Sequence, residues 1–136
     1  VMVLETTLKR WPFMRHLGAF SINPRSKSMS QSLAYAARLL DDPDNLLLFF
    51  PQGKLYSNFI DDIPFESGLG RIIARSSKKF EYIMAASFME YLDHKKPSVN
   101  VYLKPAVILD EDINTLNHIY NQHYNQSKQQ QTQTVI

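Results

Sequence analysis

The stretch Leu46-Leu47-Leu48-Phe49-Phe50-Pro51-Gln52-Gly53-Lys54-Leu55-Tyr56-Ser57 constrains this chain most. Its five leading apolar residues are too few for a good helix and read as a strand buried on both faces. Pro51 stops that strand by removing a ladder donor. Gly53 permits a tight turn and lets a ligand approach the backbone. Polar Gln52, Lys54 and Ser57 follow at once. In open α/β sheets ligands sit just beyond the carboxyl ends of strands, so chemistry is expected at this junction.

The rest of the chain alternates strands and helices. Val1 to Leu4 reads as a strand, and Pro12 to Leu17 as a short helix begun by proline and stopped by Gly18. Trp11, Phe13, Met14 and Leu17 are its expected buried side; the aromatics Trp11, Phe13 and Tyr56 are alternatively a membrane-facing or acyl-chain surface. Ala19 to Ile22 is the second strand. Ser28 and Gln31 form a capping box for a helix over Met29 to Leu40, with Leu33, Ala36, Ala37 and Leu40 on one face. After the central strand and a loop from Lys54 to Pro64, Phe65 to Ser77 reads as a helix weakened by Gly68 and Gly70. Tyr82 to Phe88 is a strand. Val99, Val101 and Leu103 alternate with Asn100, Tyr102 and Lys104, which predicts a strand whose second face is wetter. Pro105 breaks it, and Val107 to Leu109 continues or pairs beside it. Asp110 or Asp112 caps a last helix with Ile113, Leu116, Tyr120 and Tyr124 on one side.

These elements predict a single α/β domain over residues 1–125, a mostly parallel sheet flanked by helices. Residues 126–136, rich in Gln, Ser, Lys and Thr, read as a disordered polar tail. The 136 residues suffice for a real core, at 44% hydrophobic and 21% charged. A net charge of +2 gives no case for a nucleic-acid partner. The lack of cysteine excludes disulfides and thiolate zinc sites. Neither Gly-x-Gly-x-x-Gly nor a P-loop pattern is present, which removes the main nucleotide motifs. No apolar run approaches the roughly 20 residues of a spanning helix.

Phe50-Pro51-Gln52-Gly53 with Lys54 to Ser57 resembles the third sequence block of the glycerolipid acyltransferases of the 1-acylglycerol-3-phosphate acyltransferase type, usually Phe-Pro-Glu-Gly-Thr-Arg-Ser. Gly18-Ala19-Phe20-Ser21-Ile22-Asn23-Pro24-Arg25 is similar to that family's second block, Gly-x-x-Phe-Ile-x-Arg, lengthened by one residue through Pro24. Phe65, Gly68 and Leu69 resemble the helix start after the third block. Tyr82 to Ala86 stands where the fourth block, Val-Pro-Ile-Val-Pro, belongs, without either proline. The resemblance covers nearly all of residues 1–109. It implies a glycerol-phosphate-acyltransferase-like fold and transfer of an acyl group from acyl-CoA or acyl carrier protein to a hydroxyl of a lysophospholipid or related lipid acceptor. It further implies no metal or organic cofactor, and a peripheral position on the cytoplasmic side of a membrane. Its substrate-binding residues here are Arg25, Pro51, Gln52, Gly53 and Lys54. Arg25 offers a planar fork for phosphate, Lys54 a second cation, and backbone N–H groups around Gly53 an anion cradle. Gln52, uncharged where the block has Glu, hints at a sugar or another lipid alcohol as acceptor.

The family's first block, His-x-x-x-x-Asp, supplies the general base and its orienting carboxylate. It is missing from this sequence: Ser21, Val99, His123 and Lys128 stand five residues after His16, His94, His118 and His123. An N-terminally truncated acyltransferase is therefore expected, inactive as given although its parent is active, with no catalytic residue of its own and an exposed sheet edge open to a homodimer. The alternative is a non-catalytic module of that descent, binding an anionic lipid or a protein. His118 and His123 read as helix surface or rim, and Asp61-Asp62 as a loop turn rather than a metal site.

Overall fold

The computed structural model describes residues 1–23, 26–91, 95–108 and 112–133. The chain divides into two compact units, Val1–Gly53 with Glu66–Phe80, and Lys54–Phe65 with Glu81–Ile136. Where the sequence reading has one domain, each unit has a core of its own.

In the first unit β1 (Met2–Leu4) pairs in parallel with β2 (Phe20–Ile22), Met2 opposite Phe20 and Leu4 opposite Ile22. The crossover between them is α1 (Glu5–Arg10) and a 3-10 helix (Pro12–Leu17). Pro12 starts the 3-10 helix, and Gly18 ends it in the left-handed region at φ 75°. Helix α2 (Met29–Leu39) turns Leu33, Ala36 and Ala37 into the core, as its spacing predicts, beside Met2 and Ile72. No capping box forms: Ser28 makes no side-chain cap, and its N–H bonds the Ser26 hydroxyl at 3.1 Å. Helix α3 spans Gly68–Ile73, far shorter than the expected Phe65 to Ser77. Its two glycines weaken it, and polar side chains past its end bond elsewhere. Ser76 Oγ donates to Lys78 O at 2.8 Å, and Ser77 Oγ to Asp41 Oδ1 at 2.7 Å.

The second unit is built on an antiparallel pair, β3 (Tyr82–Glu90) and β4 (Ser98–Ala106). The sheet is thus not mostly parallel, as the sequence reading expects; it is one short parallel pair and one longer antiparallel pair. The connector of residues 91–97 is shorter than the dozen or so that a parallel crossover needs. Pro105 lies inside β4 opposite Ile83 rather than breaking it, on a strand with one strand neighbour among the described residues. Asp112 caps α4 (Ile113–Thr132), its carboxylate accepting from the N–H groups of Asn114 and Thr115.

The polar segment expected to be a disordered tail from Gln126 is the second half of α4, through Thr132. It is ordered because Ser127 and Gln131 are buried against bonding partners rather than solvated. The wet face of β4 is also reversed. Asn100 and Tyr102 face α4, both bonding Gln131 Oε1, at 3.1 and 2.9 Å, whereas Val99, Val101 and Leu103 are exposed.

Candidate functional site

Leu46 to Phe50 runs extended beside β1, where Met2 N–H donates to Leu48 O at 3.2 Å. It forms no ladder, so the expected central strand is an extended segment. Nor is it buried on both faces. Leu47 and Phe49 pack against the core, while Leu46, Leu48 and Phe50 are 84%, 45% and 54% exposed. Alternation, not full burial, is what one packed layer can impose on such a run.

The chain then bends sharply. Gly53 N–H donates to Phe50 O at 3.2 Å, and Glu66 N–H to Pro51 O at 2.8 Å. Gly53 sits at φ 60°, in the region where a Cβ is strained. An added Cβ would also meet Cγ of Glu66 at 3.1 Å. The backbone conformation is what requires glycine here, and the close approach of Glu66 tightens the site further. The first is legible in the sequence; the second is not, because Glu66 lies beyond a loop.

Of the expected site residues, Pro51 and Gln52 are half-buried at this turn and Gly53 is exposed. Lys54 is exposed and opens the second unit. Arg25 lies outside the described residues. The anion cradle loses one donor, since the Gly53 N–H already serves Phe50 O, and the stem of an acidic side chain lies against the glycine.

The histidines divide by burial. His16 and His118 are exposed, and His118 Nε2 meets Gln122 Nε2 at 3.0 Å. His123 is buried, not at the helix surface or rim: its Nε2 lies 3.0 Å from Tyr102 O and its Nδ1 3.5 Å from Ser127 Oγ. Ser127 donates to His123 O at 2.8 Å and is 2% exposed. That pair is packing rather than a nucleophile and base, because its hydroxyl proton is committed to a carbonyl and both side chains are buried, at the floor of a groove between α4 and β4. With Gln131 these residues form a buried polar row at i, i+4 and i+8. It lies beside the row of Leu116, Tyr120 and Tyr124, joined to it by the step of three from Tyr120 to His123.

Two open grooves of about 400 Å³ each run along α4. One, formed by Asp61, Asn125, Lys128, Gln129 and Thr132, contains the Lys128–Asp61 ion pair at 2.7 Å. The Lys128 ammonium also donates to Ile60 O at 3.0 Å, so it closes the 58–63 loop onto α4. Among the described residues no group of His, Cys, Asp or Glu is placed to hold a metal.

No family model matches this chain, nor does any curated protein or any solved structure. Among the described residues no helix is long and apolar enough to cross a membrane.

Proposed function

We propose that this chain carries the acceptor-binding side of a lipid acyltransferase, in which an acyl group passes from acyl-CoA or acyl carrier protein to a hydroxyl of a lysophospholipid or related lipid. The turn at Gly53 carries the reading. It follows directly on an extended segment bonded to a parallel strand pair, with a left-handed glycine at the fourth position of Phe-Pro-x-Gly. Three features bear on the acceptor. The Gly53 N–H is already bonded, the Glu66 stem lies against the turn, and Gln52 brings an uncharged amide. Together they favour a hydroxyl-bearing group over a phosphate at the bend itself, and leave Lys54 and Arg25 as the cations of the reading. None of the four histidines heads a His-x-x-x-x-Asp block, so on this reading these residues supply the acceptor side and not that base. On this reading the protein lies peripherally on the cytoplasmic face of the membrane that holds its acceptor.

The test is thermal stabilisation of the chain by a monoacylglycerol and by lysophosphatidate, compared with Gly53→Val. Stabilisation by the lipid alcohol that disappears in the variant supports the reading; no stabilisation by either lipid overturns it. A second reading, a non-catalytic lipid-binding module, draws support from the missing base. It is distinguished by assaying the complete gene product for acyl transfer from acyl-CoA, which that reading forbids.

A further inference from the structure

The 3-10 helix does not bury the side that its sequence suggests. Trp11, Phe13 and Leu17 are 50%, 57% and 70% exposed, and Met14 alone of the group turns partly inward. The cause is anchoring on either side. Leu8 and Ala19 are buried, the Trp11 N–H caps α1 by donating to Thr7 O at 2.9 Å, and Ala19 N–H donates to Met14 O at 3.0 Å. Between these anchors the segment is a short knuckle whose large side chains have no layer to enter. Trp11 and Phe13 meet edge to face, their centroids 6.2 Å apart. The Arg10 guanidinium stands 5.8 Å from the indole centroid. Lys9, Arg15 and His16, on the same short stretch of chain, are exposed, and Lys9 pairs with Glu5 at 2.7 Å. Exposed large apolar side chains grouped in one short segment mark a surface with a use, and apart from Glu5, which is paired to Lys9, the charged residues of this segment are cationic.

We propose that the surface formed by Trp11, Phe13 and Leu17 with Lys9, Arg10 and Arg15 docks onto an anionic lipid bilayer. It deepens the membrane side of the acyltransferase reading and takes its biological setting from it. Indole and phenyl rings partition to the headgroup level, where an amphipathic ring satisfies both media. Leucine adds apolar area just below. Each Lys or Arg held near an anionic surface is worth roughly fivefold in partitioning. Arg10 over the indole face keeps its charge at the headgroups as the ring enters. Charge complementarity selects a bilayer over a second copy of this chain, whose equivalent surface is equally cationic and would repel it.

Trp11 is the only tryptophan, so its emission reads this surface alone. The chain is titrated with vesicles of phosphatidylcholine, and of equal parts phosphatidylcholine and phosphatidylserine. The expected result is a blue shift with the anionic vesicles, quenching by brominated acyl chains, and loss of both at high salt. Arg10→Glu with Arg15→Glu lowers partitioning by more than tenfold, and Phe13→Ser with Leu17→Ser abolishes the quenching, with unchanged thermal stability in both. An unmoved emission with both vesicles overturns the proposal. So does an equal response to the two vesicles, or a blue shift produced by concentrating the protein without lipid. No acceptor or turnover enters the measurement, so its failure is separable from failure of the site at Gly53, which Gly53→Val reads independently.

Discussion

Helix α2 buries Leu33, Ala36 and Ala37 against Met2 and Ile72, whereas α4 buries Tyr124, His123, Ser127 and Gln131 against β3 and β4. The first core is aliphatic and non-directional, held by area removed from water. The second is an aromatic stack, Phe88 on Tyr124 at 5.4 Å and Tyr124 near Tyr120 at 6.4 Å, continued by a directional polar layer in which Gln131 Oε1 accepts two bonds while its Nε2 is left without a partner among the described residues. The inversion of β4 follows from the polar layer. Gln131 recruits Asn100 and Tyr102 inward, and strand alternation then turns Val99, Val101 and Leu103 outward. A few directional bonds can thus decide which face of a ribbon is covered, against its hydrophobic pattern.

The largest effect is expected in the aliphatic core. Leu33 is fully buried, and Leu33→Ala should cost about 2–5 kcal/mol through lost transfer energy and the cavity left behind. Urea denaturation measures it. A loss under ~1 kcal/mol would mean that this core collapses around the gap, and that it is no tighter than the polar one.

Gln131→Leu should come next. It strands the Asn100 amide and the Tyr102 hydroxyl facing α4, at about 1–3 kcal/mol. Adding Asn100→Leu and Tyr102→Phe should restore most of that loss, because apolar groups replacing both sides of a buried bond are nearly neutral. If the single change is harmless, the polar layer does not hold α4, and the reversed face of β4 needs another cause.

The same contrast governs what could be read from the sequence. Leu33, Ala36 and Ala37 announce their face through helical periodicity, and Gly18 announces a helix stop through its required conformation. The antiparallel β3–β4 pair was missed, because the alternation of elements argued for a parallel sheet and outweighed the short connector. The second half of α4 was not legible by composition, since a Gln-rich segment matches a solvated tail until its partners are known. Trp11, Phe13 and Leu17 were misread for the complementary reason: hydrophobicity says what a side chain favours, not whether a layer lies there to receive it. The turn at Gly53 was expected from Pro51 and Gly53, but the approach of Glu66 was not.

A smaller effect tests how α4 begins. Asp112 accepts from two orphan N–H groups of the first turn, so Asp112→Ala should cost about 0.5–2 kcal/mol, and Asp112→Asn much less. Because the first half of α4 is also held by the Asn117 and Asn121 amides on Ile63, fraying should stay within the first turn. Hydrogen exchange at Ile113 to Leu116 reads it. Loss of protection along the whole of α4 would show that the cap, not the polar layer, decides the helix.

The smallest effect is set by pH. Burial pushes the phenol of Tyr120 above its ordinary value, with the neighbouring Tyr124 adding to the shift. Burial also raises Tyr124, the Lys128 ammonium opposing it and the Asp61 carboxylate assisting. A raised folded value means that the folded state holds its protons more tightly than the unfolded chain does. The stability from these neutral phenols is therefore complete below the unfolded value near ~10, and drains as pH rises from there through the folded values. Urea midpoints should fall across that window, and Tyr120→Phe should make the fall shallower. Leu33→Ala should leave its slope unchanged, because among the described residues the aliphatic core buries no titrating group. If Leu33→Ala instead lowered the midpoint of the same tyrosine-dependent transition, the two units would be unfolding as one, and the difference between their cores would not be separable by pH.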